Sequence, residues 1–195
     1  MDNNIYGQHY DSLNAFMTNL KADIEGIREE LKDVYGHDMV DHVMARMKSD
    51  DSVREKCERR GINPEPDLII ANIYDAVGIR VVCSFIDDVY KIRDRIRNLS
   101  DVEVVTEKDY IVNAKPNGYR SYHMIVRNPA GYCAEIQIRT ISMDTWAALE
   151  HNMKYKKDIK GNKELITAEL KRCADELAST DVSMQTIRNM IFGEL

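Results

Sequence analysis

Residues 132–140 alternate strictly, which puts Cys133, Glu135, Gln137 and Arg139 on one side of a strand and Tyr132, Ala134, Ile136 and Ile138 on the other. A carboxylate, an amide and a guanidinium in register can bind a polar ligand. The same alternation also serves any amphipathic strand with one wet face. Just upstream stand Lys115, Tyr119, Arg120 and His123. Cations, a turn-borne aromatic ring and a strand-borne carboxylate are groups that suit a nucleotide. Tyr119 follows Asn117-Gly118, a turn pair that can lift the ring clear of the sheet. A free ring there could stack on a purine for ~1–3 kcal/mol. The alternative is a tyrosine folded back over the core.

A second group carries phosphate chemistry. Ser49, Ser52, Lys56 and Arg59 are spaced i, i+3, i+7 and i+10, so they share one face if the segment is helical. Hydroxyls near a helix N-terminus followed by cations could line a triphosphate, with Arg46 and Lys48 closing over it. A solvated basic face fits the same spacing, and Asp50 and Asp51 already satisfy the helix dipole. Asp75 immediately precedes the strand-like VGIRVVC run, and Arg80 lies on the face opposite Val77, Ile79, Val81 and Cys83. A carboxylate at a strand edge can hold Mg²⁺ while the ion keeps waters and takes phosphate oxygens. Standing alone, Asp75 serves equally as a turn or capping acid, and Arg80 as a surface cation.

The elements that must position these groups read as an α+β fold, a mixed sheet of about five strands flanked by helices. Residues 10–34 predict an amphipathic helix, with Leu13, Phe16, Met17, Leu20, Ile24, Ile27 and Leu31 at helical spacing. Gly36 ends it, and a second helix is expected from about residue 38. Ser49 is expected to cap the helix that Gly61 stops. After the Asn63-Pro64-Glu65-Pro66 linker come a short helix ending at Asp75, a strand over 77–85 and a helix over 87–99. Strands over 102–110, 121–127 and 132–140 follow, then helices from about residues 143 and 163. From Ile166 through Leu170, Cys173, Leu177, Thr180, Met184, Ile187 and Ile191, spacings of four and three make a heptad-like seam, with a cap and break expected at Ser179-Thr180-Asp181. Packing back onto the domain and contact with another subunit both satisfy that seam.

Composition bounds the function. The chain has 195 residues, 44% hydrophobic and 31% charged, with a net charge of −6, as expected for one soluble domain. That charge argues against broad nucleic-acid binding. No apolar run approaches a membrane span and no secretory leader is evident, so a cytoplasmic location is expected. Cys57, Cys83, Cys133 and Cys173 form no CxxC pair and are expected to be free, with those in strands buried. Trp146 is expected to anchor the core or an interface.

Four ordered segments resemble the synthetase domain of the RelA/SpoT family, which makes ppGpp and pppGpp: residues 45–61, 74–83, the 115–140 stretch of KPNGYRSYH and EIQIRT, and 144–156. At this length the chain is most similar to the single-domain small alarmone synthetases of the RelQ type. The resemblance implies a nucleotidyltransferase-like sheet within one domain over 1–195. Its parts are N-terminal helices over 1–61 with the ATP-binding helix, a catalytic sheet and helices over 67–158, and a C-terminal helical extension over 162–195. It implies ATP binding by Arg46, Lys48, Ser52, Lys56 and Arg59, with Ser49 beside them. The DxxGxR pattern matches Asp75, Gly78 and Arg80, implying Asp75 as the Mg²⁺ ligand and Arg80 as an ATP contact. Family members often carry proline where Asp50 stands.

On the acceptor side the resemblance makes Tyr119 the guanine-stacking ring. Lys115, Arg120 and Arg139 become candidates for the acceptor phosphates, Gln137, His151 and Asn152 for base or ribose, and Asn117 a further acceptor-binding candidate. The implied reaction transfers the β,γ-pyrophosphate of ATP to the 3′-hydroxyl of GDP or GTP and releases AMP. Glu135 is the candidate proton acceptor and a second candidate metal contact. Some relatives use an adenosine nucleotide or the 3′ end of tRNA instead, and a catalytically silent guanosine-nucleotide sensor is a further class. Related small synthetases form tetramers, some with an allosteric alarmone site, in a bacterial stringent response. His37-Asp38 resembles the HD pair of metal phosphohydrolases, but this chain has no room for that helical domain.

Overall fold

The computed structural model describes residues 4–155 and 162–193. The expected end of the 144–156 motif, Lys156, and the boundary after residue 158 lie outside them. Helix α1 (Tyr10–Tyr35) follows a single 3-10 turn and buries Leu13, Phe16, Leu20, Ile24, Ile27 and Leu31. It ends at Gly36, whose φ of 73° is the left-handed conformation that stops helices. Strand β1 (Val40–Met47) comes next, then α2 (Asp50–Arg60), α3 (Pro66–Asn72), β2 (Val77–Cys83) and α4 (Ile86–Arg97). Strands β3 (Glu103–Asp109), β4 (Tyr122–Arg127) and β5 (Cys133–Thr140) lead into α5 (Ile141–Tyr155) and α6 (Lys163–Phe192).

The five strands form one mixed sheet in the order β1-β2-β5-β4-β3, with β2 and β5 parallel and every other pair antiparallel. One face packs beneath α1 and α4 through Val77, Ile79, Val81, Met124, Ile136 and Ile138. Period-2 alternation therefore sends Gly78, Arg80, His123, Glu135, Gln137 and Arg139 to the opposite face. The parallel β2–β5 pairing sets Gly78 beside Glu135 and Arg80 beside Gln137. The site is thus built on the two central strands.

Two expectations fail here. Residues 40–47 form an edge strand, where a helix was expected, so the 1–61 segment is not purely helical. A register shift between Val40 and His42 turns the chain by one phase, so Val40 and Val43 both face inward three residues apart. That spacing mimics a helical stripe. The second failure is the break at Ser179-Thr180-Asp181, because α6 runs through it without interruption. Asp181 is instead buried and accepts a 2.6 Å hydrogen bond from Thr140 Oγ1. The inner line of α6 is Ala174, Asp181 and Arg188, while Met184, Ile187 and Ile191 of the expected seam face outward.

Smaller differences follow from local geometry. Helix α3 ends at Asn72, so Asp75 sits in a turn after it and is not its last residue. Ser49 occupies the N-cap position of α2 with extended backbone, yet its hydroxyl donates to Ser52 Oγ at 2.9 Å and caps no amide. All four cysteines are free, with Cys57, Cys83 and Cys133 buried and Cys173 exposed. Among the described residues no helix is long and apolar enough to cross a membrane.

Candidate active site

Asp75 stands where the β1–α2 turn, the α2 helix and the start of β2 meet. Lys48 Nζ donates to its Oδ2 at 3.2 Å and Lys56 Nζ to its Oδ1 at 2.6 Å. Burial pushes this carboxyl upward, but the Lys56 hydrogen bond and the two ammonium charges outweigh it and hold the group below its ordinary value. Backbone contacts fix the turn that carries Lys48. Its N–H donates to the Ala76 carbonyl at 2.8 Å, and its own carbonyl accepts from the buried Tyr6 hydroxyl at 2.8 Å. Ile5 N–H also donates to Asp50 Oδ2 at 3.1 Å. The N-terminal segment therefore braces the loop from beneath.

Glu135, on β5, lies at the centre of a directed hydrogen-bond network. Arg139 can only donate, and its Nη2 reaches Tyr119 Oη at 3.1 Å and also Gln137 Oε1. Tyr119 Oη lies 2.8 Å from His123 Nε2, and because a carboxylate can only accept, His123 donates from Nδ1 to Glu135 Oε1 at 3.2 Å. Gln137 Nε2 donates to Glu135 Oε2 at 2.7 Å. Two chains that begin at Arg139 thus end on the two oxygens of one carboxylate. Burial raises the Glu135 pKa, the His123 hydrogen bond and charge lower it, and the net direction is downward. The negative charge of Asp75 opposes that shift. Arg139 itself is only 3% exposed. Its Nη1 and that of Arg80 each lie 3.2 Å from Asp144 Oδ1 on α5.

Asp75 and Glu135 form a shared wall between two clefts. The first, of about 410 Å³, is lined by Met44, Arg46, Lys48, Gly78, Arg80 and Gln137. The second, of about 350 Å³, is lined by Lys56, Arg60, Lys108, Tyr110, Lys115 and His123. Each combines several cations with access to both carboxylates. Two polyanionic ligands could meet across that wall, one in each cleft.

Sequence-predicted residues distribute unevenly over this geometry. Arg46, Lys48, Arg80, Lys56 and Lys115 line a cleft. Ser49, Ser52 and Arg59 line neither, so the predicted row along α2 is split. Gln137, expected beside the acceptor, borders the first cleft. Tyr119 is half-buried and not the exposed ring expected, with the rings of Tyr110, His123 and Trp146 centred 6.3, 5.7 and 6.4 Å from its own and Lys115 Nζ 4.6 Å from its centroid. Burial raises its phenol above the ordinary value although Arg139 works against the shift. Asn117 Nδ2 donates to Glu150 Oε1 at 3.1 Å while its Oδ1 accepts from Tyr119 N–H at 3.2 Å, a turn-building role. His151 and Asn152 are exposed on α5 and line neither cleft. Arg120 is bound to Asp175 of α6 at 2.8 Å.

Asp144, Tyr110, Lys108 and Arg60 had no role assigned from sequence, and His123 was named only as a member of the upstream cluster, without a role of its own. His123 was within reach, since Tyr122, Met124 and Val126 are the buried phase of β4 and His123 the opposite one. With His123 paired to Gln137, it must stand on the Glu135 face.

Residues 45–160 match the region found in RelA/SpoT proteins. The chain is 38% identical over 172 residues to the GTP pyrophosphokinase YwaC of Bacillus subtilis, covering 85% of this chain and 81% of that one. It is 33% identical over 180 residues to the GTP pyrophosphokinase YjbM of the same organism, covering 88% and 83%. The crystal structure of the B. subtilis small alarmone synthetase 1 bound to its product pppGpp superposes with a TM-score of 0.79 at 32% identity, over 92% of this chain and 94% of that one. A GTP pyrophosphokinase family protein from Streptococcus pneumoniae gives 0.81 at 33% identity, over 93% and 91%.

Proposed function

Because the chain belongs to the RelA/SpoT family, we propose that its two clefts carry out the reaction of the small alarmone synthetases. It is a GTP pyrophosphokinase that moves the β,γ-pyrophosphate of ATP to the 3′-hydroxyl of GDP or GTP, yielding ppGpp or pppGpp and AMP. The observation that carries this reading is the shared wall of Asp75 and Glu135 between two cation-lined clefts. In-line transfer needs a donor phosphate chain and an acceptor hydroxyl on opposite sides of one reacting phosphorus.

The first cleft suits ATP. Arg46 and Arg80 present planar guanidiniums to the nucleotide and Lys48 a charge to its phosphates. The second suits the guanosine nucleotide, with Lys56, Arg60, Lys108 and Lys115 as phosphate partners and Tyr110, whose ring packs against that of Tyr119 behind it, as the aromatic wall. Glu135 accepts the hydrogen bond of the 3′-hydroxyl and takes its proton as the oxygen attacks the β-phosphorus, while His123 and Gln137 keep its oxygens aimed. Lys48 and Lys56 stabilise charge that develops on the phosphate oxygens.

Mg²⁺ fits the donor set. Among the described residues no cluster of three metal-ligating side chains occurs, but this ion commonly uses one or two carboxylates and fills its shell with water and phosphate. Asp75 and Glu135 would hold it, and it would supply charge neutralisation on the transferred group. The outward-facing apolar residues of α6, among them Val182, Met184, Ile187 and Ile191, support self-association, and a tetramer is the expected state. A cytoplasmic stringent-response setting accompanies the reading. Incubation of the protein with γ-labelled ATP, Mg²⁺ and GDP, GTP, ATP or tRNA, followed by thin-layer separation, tests it. Label on the guanosine nucleotide is the expected result. Label only on tRNA or an adenosine acceptor, or no transfer, overturns it.

A further inference from the structure

The turn that carries Tyr119, whose ring backs the Tyr110 wall of the acceptor cleft, rests directly on the C-terminal helix. Gly118 has φ +92°, and a Cβ built there would lie 2.6 Å from the Ala174 Cβ and 3.1 Å from the Lys171 Cα. Only a residue without a side chain allows the backbone this close to α6. On one side of Gly118, Asn117 is tied to Glu150 of α5. On the other, Arg120 Nη1 donates to the Gly118 carbonyl at 3.2 Å and Nη2 to Asp175 Oδ1 at 2.8 Å. Trp146 joins the same contact, because its Nε1 donates to the Leu170 carbonyl at 2.9 Å and its ring lies 6.4 Å from that of Tyr119. Helix α6 is itself anchored to the end of β5 by the Thr140–Asp181 bond.

Arg120 lines neither cleft. It borders a small crevice with Trp146, Ala174, Leu177 and Asp181, and its charge is engaged by a carboxylate of α6. We propose that Arg120 is a positioning residue and not a phosphate ligand: with Asp175 it forms a strut by which α6 holds the acceptor turn, and the seating of α6 thereby sets affinity for the guanosine nucleotide. This deepens the proposed function and rests on the acceptor occupying the cleft lined by Tyr110, Lys115 and His123.

The two roles for Arg120 predict opposite signs. A phosphate ligand released from Asp175 would gain freedom to reach the acceptor, so Asp175→Ala would leave the KM for GTP unchanged or lower it. A strut that loses Asp175 loosens the turn, and the KM for GTP rises. Asp175→Ala is expected to raise it about two- to tenfold, the lower part of the range of couplings between contacting residues, with kcat and the KM for ATP little changed. Asp175→Glu, which keeps the carboxylate, is expected to restore most of the loss. Lys171→Ala removes the other partner of Asp175, 2.6 Å away, and is expected to leave the GTP affinity near that of the unaltered chain. Trp146 is the chain's only tryptophan, so its fluorescence during GTP titration without ATP reads binding independently of turnover. An active parent with unchanged or tighter GTP binding in Asp175→Ala overturns the strut alone. A parent that neither binds GTP nor transfers pyrophosphate overturns the functional reading and the strut with it.

Discussion

Replacing Glu135 by glutamine tests the centre of the mechanism with little disturbance of shape. The carboxylate accepts from His123 Nδ1 at 3.2 Å and Gln137 Nε2 at 2.7 Å, so it faces two donors. An amide has one acceptor atom and one donor group, and one of the two contacts must become donor against donor. His123 can relieve this by moving its proton to Nε2. Tyr119 Oη then accepts from both His123 and Arg139, which its two lone pairs permit. The network therefore survives with reversed polarity on one arm, and the expected loss of stability is about 1 kcal/mol, the net worth of one hydrogen bond. The chemical step loses its proton acceptor, an effect of roughly 10²–10⁴ in kcat, or about 2.7–5.4 kcal/mol. Lys48, Arg46 and Arg80 on the ATP side are untouched, so the KM for ATP should stay within about threefold, the uniform-binding pattern being preserved. Steady-state transfer from labelled ATP to GTP, with thermal denaturation alongside, measures all three quantities. A folded variant whose kcat lies within tenfold of the parent refutes the assignment of Glu135.

Lys56→Met removes the closer of the two ammoniums on Asp75, leaving burial to push the carboxyl upward against Lys48 alone. The acid limb of kcat/KM should therefore move to higher pH, and an unmoved limb refutes the ion trio. In the parent the depressed pKa means that Asp75 contributes stability present above its ordinary value of 3.8 and lost as pH falls through its lower folded value. Tyr6→Phe deletes the donor to the Lys48 carbonyl while keeping the buried ring. It should cost about 1 kcal/mol of stability and raise the KM for ATP roughly severalfold with the KM for GTP unchanged; equal effects on both substrates would reject the brace. Asp181→Ala strips the partner from the fully buried Thr140 and should destabilise the protein by about 1–3 kcal/mol in denaturant unfolding. Parent-like stability would show that this bond does not anchor α6.

What could be read from residue order was whatever depends on a short-range period. The alternation of Glu135, Gln137 and Arg139 against Ala134, Ile136 and Ile138 stands in the structure as written in the chain, because both phases of β5 are set by a sheet with one covered face. The stripe of α1 and its Gly36 stop are equally local. Strand β1 was hidden because its bulge converts period 2 into a spacing of three between Val40 and Val43, and no residue nearby marks a bulge. Asp181 looked like a helix break because an acid after Ser179-Thr180 usually caps. Its actual partner, Thr140, is 41 positions away, and only packing brings the two together.

The same limit divides the site. Cations could be found by type, but their partners are long-range: Lys56 meets Asp75 across 19 residues and Arg120 meets Asp175 across 55. A cation near an anion-binding turn serves the ligand or the scaffold according to which carboxylate reaches it first. Lys115 keeps its ammonium over the Tyr110 and Tyr119 rings, 4.6 Å from each centroid, where a cation gains from the ring faces without being neutralised. It stays available to an incoming phosphate or base. Arg120 is paired by Asp175 within the chain, and a guanidinium so held is more useful for keeping a turn in place than for meeting a substrate. Charge type nominates both residues; the carboxylate contributed by a helix 55 positions away separates them.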